Sequence, residues 1–154
     1  FLDNHLFSGC EGGMLRACDI FSGKQIWATT GPEEIWCMKA IAAPANCLVT
    51  GNRLGDLNWY DPKNGANIRS VNKAHPGGVQ ALALCPDSTI MASAGEDNHI
   101  KIWDLISGEE LLTLTGHVKP VYALAFSPDG RCLVSGDTGG QILLWPTSSE
   151  LWTK

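Results

Sequence analysis

The chain has 154 residues, of which 44% are apolar and 18% are charged, with 17 glycines and 8 prolines. This composition is typical of a folded, turn-rich domain that is large enough to bury a core, and it excludes a disordered chain. The net charge is −5 and the eleven Lys and Arg residues are scattered, which argues against direct binding of nucleic acid. No apolar run approaches the length of a membrane span.

The six cysteines show neither C-x-x-C pairing nor the spacing of metal ligands. Several lie in apolar strand patterns such as CLVTG and CLVSG, where a thiol behaves as a small hydrophobic side chain. No signal-peptide pattern opens the chain. We therefore expect reduced thiols, no metal or other cofactor, and a cytoplasmic or nuclear location.

The sequence repeats itself with a period of about 42 residues. Residues that recur at this distance include the pairs Gly9 and Gly51, Leu15 and Leu57, His75 and His117, and Trp103 and Trp145. A period of this length predicts one repeat domain over 1–154, with approximate units 1–31, 32–73, 74–115 and 116–154.

Each unit is interpreted as a sheet of four short antiparallel strands, and the chain opens inside the first unit with a second strand, HLFSGCEGG. In the last unit the strands are VYALAFS, RCLVSG and QILLW, separated by turns rich in Pro, Asp and Gly. The strands are almost continuously apolar, which predicts that both faces of each sheet are covered. Radial stacking of the sheets into a β-propeller satisfies this requirement.

The first unit carries the stretch GMLRACDIFSGKQIW, which resembles the docking motif of quinoprotein-like propellers, roughly G-x-L-x-A-x-D-x-x-T-G-K-x-x-W. The matching residues are Gly13, Leu15, Ala17, Asp19, Gly23, Lys24 and Trp27, with Ser22 in the place of Thr. The resemblance implies that Trp27 packs between neighbouring blades. It leaves open a fragment of a pyrroloquinoline quinone dehydrogenase or an assembly scaffold of that type. The absence of an adjacent Cys pair and of a recognisable acidic calcium site argues against the enzyme.

The second unit keeps only part of this motif. It retains Gly55, Leu57, Asp61 and Gly65. However, Trp59 stands where the first unit has Ala17, and Arg69 stands where it has Trp27. The motif is therefore interpreted as structural.

The third and fourth units resemble the WD40-repeat family. The segments AHPGGVQALALCPDSTIMASAGEDNHIKIWD and GHVKPVYALAFSPDGRCLVSGDTGGQILLW carry its G-H, S-P-D-G and W-D signatures. The resemblance implies a structural tetrad of side chains, formed in the third unit by His75, Ser93, Asp97 and Trp103. In the fourth unit it implies His117, Ser135 and Trp145, with Gly139 at the Asp position, so that network is expected to be incomplete.

A Ser, a His and an Asp also suggest a hydrolytic triad. The spacing matches the structural tetrad of the repeat, however, and a near-copy occurs 42 residues further on, which catalysis does not need. We therefore predict that the protein is not an enzyme.

The strand pattern amounts to about 3.7 repeats, and the last stretch, SSELWTK, is at most a truncated fourth strand. Propellers hold 4–8 blades, so we expect a partial ring from a longer chain. Closure by a second copy is the alternative, and a closed four-blade ring fits less well because the two ends overlap.

The WD40 resemblance implies a non-catalytic scaffold or adaptor within a multiprotein complex, which binds other proteins or peptide segments and neither nucleic acid nor membrane directly. Its contact positions fall on eight residues, which we call the rim: Glu34, Arg53, Pro76, Gly78, Glu96, Val118, Pro120 and Thr138. An alternative is a substrate receptor of a ubiquitin ligase, for which W-D-x-[R/K] is expected. Trp103-Asp104 is followed by Leu105-Ile106, and only Tyr60-Asp61-Pro62-Lys63 matches loosely.

Overall fold

The computed structural model of the protein describes residues 2, 4–31, 33–87 and 89–147. These residues form fourteen β-strands in four antiparallel sheets and no helix. The expected all-β architecture of antiparallel sheets with three or four strands is confirmed. The stretch SSELWTK lies outside the described residues.

The sheets follow one another along the chain. Sheet one consists of β1 (His5–Gly9), β2 (Met14–Asp19) and β3 (Gln25–Thr30). Sheet two consists of β4 (Ile35–Ile41), β5 (Cys47–Asn52), β6 (Leu57–Tyr60) and β7 (Asn67–Val71). Sheet three consists of β8 (Val79–Leu84), β9 (Ile90–Gly95), β10 (Ile100–Asp104) and β11 (Glu110–Leu114). Sheet four consists of β12 (Val121–Phe126), β13 (Cys132–Asp137) and β14 (Ile142–Pro146).

The same tight turn follows β2, β6 and β10. In the turn after β2, the Asp19 carboxylate accepts the backbone N–H of Ser22 at 2.7 Å, and the N–H of Gly23 bonds the Asp19 carbonyl at 2.9 Å. Gly23 has a φ of +67°, a left-handed conformation in which any other side chain would be strained. Gly65 and Gly108 repeat this arrangement with φ of +73° and +67°. The Asp–Gly spacing in the sequence therefore encodes a turn.

The four sheets stack in chain order and bury three apolar layers between them. Their innermost strands lie side by side, with β1 against β4, β4 against β8, and β8 against β12. The layers contain Leu15, Leu48 and Tyr60 between sheets one and two, Val49, Trp59, Met91 and Trp103 between sheets two and three, and Ala92, Ile100, Ile102 and Leu133 between sheets three and four. Strand β5 is buried along its whole length. The prediction that both faces are covered is confirmed for sheets two and three.

Sheet four differs from that prediction, because one of its faces is not covered by any of the described residues. Ile142 and Leu144 are each 67% exposed, whereas Ile100 and Ile102, their equivalents in sheet three, are completely buried. Sheet four itself covers the face that holds Ile100 and Ile102. The strands of sheet four are apolar, as the sequence shows, but an apolar strand is buried on both faces only where a neighbouring sheet covers it.

Trp27 packs between sheets one and two, as the resemblance implied. Its ring is almost fully buried and lies over Gly65, where an added Cβ would come within 2.6 Å of the ring. Its indole N–H donates to the carbonyl of Pro62 in the next sheet at 2.9 Å. The prediction that Trp27 packs between neighbouring blades is confirmed.

All six cysteines are unpaired. Cys47 and Cys85 are buried, and Cys10 is exposed. Burial raises the pKa of the Cys37 thiol to about 12 and that of Cys47 to about 11. These two groups therefore remain protonated thiols at neutral pH, because burial disfavours the thiolate that nucleophiles and metal ligands require.

Candidate functional site

A buried chain of hydrogen bonds crosses sheet three. His75 Nδ1 lies 2.8 Å from Asp97 Oδ1, and His75 Nε2 lies 2.6 Å from Ser93 Oγ. The Trp103 indole N–H donates to the same Ser93 oxygen at 2.7 Å. With Nδ1–H donating to the carboxylate, Nε2 accepts the Ser93 hydroxyl proton, so every polar atom of the chain is satisfied.

The Asp97 carboxylate is held in its ionised form. Burial alone would raise its pKa, but the hydrogen bond from His75, the backbone N–H of His99 and the electrostatic interaction with both rings together lower it below the ordinary value. Ionised Asp97 therefore fixes the orientation of the His75 ring.

A second complete chain crosses sheet four, and here the sequence expectation was wrong. His117 Nδ1 lies 2.9 Å from Asp137 Oδ2, and Nε2 lies 2.6 Å from Ser135 Oγ, which accepts the Trp145 indole N–H at 2.8 Å. Asp137, two residues before Gly139, supplies the carboxylate. It also accepts the backbone N–H groups of Gly139 and Gln141, each at 2.9 Å. A carboxylate at the end of β13 therefore reaches both the His and the turn that follows.

Neither chain of hydrogen bonds is arranged for hydrolysis. Ser93 and His75 are completely buried, and Ser135 is 1% exposed. Each Ser oxygen is bonded to a His on one side and to an indole on the other. A nucleophile needs room for a reacting carbonyl next to it. These groups have none, so they hold the strands of each sheet together.

The rim residues lie along one edge of the stacked sheets, formed by the connections before β4, β8 and β12 and by the turns after β5, β9 and β13. Three equivalent backbone bonds join these segments: Arg53 N–H to Glu34 O at 3.1 Å, Glu96 N–H to Gly78 O at 3.1 Å, and Thr138 N–H to Pro120 O at 2.9 Å. Sheets two, three and four therefore each present one such pair of rim residues at this edge.

The rim residues differ in how far they reach solvent. Val118 is 76% exposed, and Arg53, Pro76 and Thr138 are also exposed. Glu34, Glu96 and Pro120 are half-buried. Gly78 is buried, because the ring of Trp36 lies directly over its Cα. Gly78 therefore contributes only buried backbone to the rim.

The sequence analysis missed the aromatic side chains at this edge. Trp36, Gln80 and Tyr122 are the second residues of β4, β8 and β12, and Trp36 and Tyr122 are 39% and 49% exposed. The Tyr122 hydroxyl donates to Glu96 at 2.6 Å, and the Gln80 amide donates to the same oxygen at 2.8 Å. The hydrogen bond to Glu96 raises the pKa of Tyr122. The 42-residue spacing of Gln80 and Tyr122 was the signal that could have identified this row.

Charged groups at the rim are paired with one another. The Arg53 guanidinium lies 3.4 Å from Glu33 and 3.6 Å from Glu34, and the Trp36 indole N–H donates to Glu34 at 3.4 Å. Ion pairs this exposed contribute at most about 1 kcal/mol each to stability, so their charges can be redirected to a partner at little cost.

The described ranges also bear on metal-ligand clusters, membrane-spanning helices and the W-D-x-[R/K] pattern. No three His, Cys, Asp or Glu side chains within them are grouped to hold a metal ion. No helix there is long and apolar enough to cross a membrane. The loosely matching segment Tyr60-Asp61-Pro62-Lys63 forms the turn after β6, where the Pro62 carbonyl is taken by Trp27.

Comparison with known proteins agrees with this geometry. The sequence model of the WD domain, G-beta repeat, matches residues 66–104 and 108–146, which is just over half of the chain. The ribosome biogenesis protein WDR12 homolog of Nematostella vectensis is 32% identical over 88% of this chain and 34% of its own length. The U3 small nucleolar RNA-associated protein 15 homolog of Gallus gallus is 25% identical over 94% of this chain and 28% of its own length.

The chain spans about a third or less of the curated relatives that it matches. Among solved structures, the computationally designed Ika4 protein superposes with a TM-score of 0.83 at 26% identity, over 95% of this chain and 87% of that one.

Proposed function

This chain belongs to the WD40-repeat family, and we propose that it is a non-catalytic scaffold whose rim binds segments of other proteins. The observation that carries the proposal is the row of exposed side chains along one edge, Trp36, Tyr122 and Val118 beside Glu34 and Glu96. Exposed Trp and Tyr side chains are among the groups that contribute most at protein–protein contacts.

The construction of the sheets supports this proposal. A docking surface loses less entropy on binding when its side chains stand on rigid strands. Glu96 follows β9 directly and Tyr122 lies within β12, next to the buried hydrogen-bond chains of sheets three and four. Their positions are therefore set by the core.

The names of the relatives support a place in a nuclear assembly. One relative is named for ribosome biogenesis and another for association with a small nucleolar RNA. We place this chain in the nucleus rather than the cytoplasm, as part of a complex that contains protein and RNA. Its net charge of −5 favours contact with the protein components.

The proposal is tested by charge changes at the rim against a charge change at the opposite edge. Val118→Arg alters an exposed rim position, Glu96→Lys alters a half-buried one, and Asp129→Lys alters the exposed turn after β12. Proteins from nuclear extract retained on each immobilised chain are quantified by mass spectrometry, and thermal unfolding is followed by circular dichroism.

We expect all three variants to unfold near the wild-type temperature, because none of the three side chains is buried. The two rim variants are expected to lose proteins that the wild type and Asp129→Lys both retain. Retention by the rim variants, with loss only in Asp129→Lys, would contradict the proposal.

A further inference from the structure

A cavity of about 170 Å³ opens between sheets two and three, at the edge opposite the rim. Pro44 and Ala45 of the turn after β4 form one wall, and Leu105 and Ile106 of the turn after β10 form the other. Trp59 lines its interior, and Ile106, at 65% exposure, stands at its mouth. The lining is therefore mainly apolar and is built from two sheets.

The preceding interface shows what the repeat places at the equivalent position. In sheet one the cross-strand pair is Ala17 and Trp27, and in sheet two it is Trp59 and Arg69. The indole therefore lies on the outer strand β3 in sheet one, but on the neighbouring inner strand β6 in sheet two. Trp27 fills the space between sheets one and two, whereas the thinner Arg69 side chain borders the cavity between sheets two and three.

This difference in strand changes the hydrogen bonding of the indole. The N–H of Trp27 donates to the Pro62 carbonyl, but the N–H of Trp59 has no hydrogen-bond partner among the described residues, although Trp59 is only 2% exposed. A buried donor without a partner costs about 1–3 kcal/mol. Trp59 therefore lines the cavity with an indole whose N–H has no acceptor within the described residues.

Arg69 gives the cavity a positive charge. Its guanidinium packs over Gly108, and its Nη1 donates to the Ile106 carbonyl at 3.3 Å. Trp27 stands in the same relation to Gly65 and Pro62 one sheet earlier. The cavity therefore joins an apolar interior to a cation, in the place where the repeat elsewhere holds an indole.

We propose that this cavity is a docking subsite for an aromatic side chain of a partner protein, with a carboxylate beside the ring that faces Arg69. An apolar cavity of 150 Å³ is large enough to bind benzene, so about 170 Å³ accommodates the ring of an aromatic residue. The intramolecular precedent is the Trp27 indole in the preceding interface. This subsite lies at the opposite edge from the rim and does not depend on the rim proposal.

Indole-3-acetate is the probe, because it combines the ring and the carboxylate. It is titrated into the 154-residue chain labelled with ¹⁵N, and the side-chain N–H signals of the six tryptophans are followed by NMR. The Trp59→Phe variant identifies the signal of Trp59. For a ligand of this size a Kd of about 1 mM is expected, and indole without the carboxylate should bind more weakly.

Two variants close the cavity. Arg69→Trp restores the indole found one sheet earlier, and Ile106→Arg crowds the mouth from an exposed turn whose change leaves the core untouched. Phe21→Arg is the matched control, since Phe21 holds the equivalent exposed turn position in sheet one.

The proposal is supported if the probe shifts the Trp59 signal in the wild type and Phe21→Arg, and loses that effect in Ile106→Arg and Arg69→Trp. If Arg69→Trp does not fold, Ile106→Arg alone decides. No shift of the Trp59 signal, or an equal shift in Ile106→Arg and Phe21→Arg, overturns it.

Discussion

Replacing Ser93 with Ala tests the structural role of the buried hydrogen-bond chain. The Ser93 oxygen holds His75 Nε2 at 2.6 Å and accepts the Trp103 indole N–H at 2.7 Å. Ser93 and His75 are completely buried and Trp103 is 2% exposed. The substitution therefore leaves two buried polar groups without a partner and removes almost no volume.

Each buried group left without a partner costs about 1–3 kcal/mol, so Ser93→Ala should lower the free energy of unfolding by about 2–6 kcal/mol. For a chain of this length, a loss near 3 kcal/mol lowers the midpoint of thermal unfolding by about 6–12 °C. The control is Ser107→Ala, since the Ser107 hydroxyl accepts the backbone N–H of Glu109 in an exposed turn. Its effect should stay within about 0.5 kcal/mol.

Urea unfolding followed by circular dichroism measures both variants, with the slope against urea checked for a constant value. A Ser93→Ala protein within about 0.5 kcal/mol of the wild type would refute the structural role. The hydrolytic interpretation requires that outcome together with loss of an activity.

The lowered folded-state pKa of Asp97 means that its ionised form stabilises the fold above the ordinary value of 3.8, and this contribution disappears as pH falls through the folded pKa. The difference in unfolding free energy between the wild type and Asp97→Asn should therefore become smaller below pH 3.8, as measured by urea unfolding at several pH values. A difference that does not change with pH would contradict stabilisation by ionised Asp97. Asp137→Ala should lower the midpoint of thermal unfolding, while Gly139→Ala leaves it near that of the wild type. The reverse result would contradict the role of Asp137 in the hydrogen-bond chain of sheet four. Trp27→Ala should cost about 3–5 kcal/mol in urea unfolding because it empties the layer between two sheets. The control is Phe21→Ala, because Phe21 is 80% exposed. An equal loss of unfolding free energy in both variants would contradict the packing role of Trp27 between the sheets.

The repeat period and the strand composition were sufficient to predict the sheets, because turns and buried strands depend on local residue types. The turn after β2 depends on Asp19 and Gly23, which are four residues apart, and the motif that contains Trp27 implied the packing of Trp27 between sheets. Asp137 was missed because strict alignment of the repeats assigned its role to Gly139, although a carboxylate two residues earlier can reach the same imidazole.

Features that depend on contacts between sheets were beyond the sequence. Whether Gly78 is exposed depends on the ring of Trp36, which comes from the preceding sheet. The open face of sheet four has the same apolar pattern as the covered face of sheet three, and only the presence of a neighbour distinguishes Ile142 from Ile100. The cavity between sheets two and three likewise depends on which strand carries the Trp. In sheet one the Trp is on the outer strand, and in sheet two it is on the neighbouring inner strand, a difference that has little effect on composition.

Site-specific photo-crosslinking tests most directly whether the rim binds other proteins. The photoreactive residue p-benzoylphenylalanine is placed at Val118 or Thr138 on the rim, and at Asp129 on the opposite edge, all exposed positions. After irradiation in nuclear extract, the crosslinked proteins are identified by mass spectrometry. The account predicts that both rim positions crosslink the same protein partner and that Asp129 does not. Equal crosslinking from all three positions, or crosslinking from Asp129 alone, would contradict it.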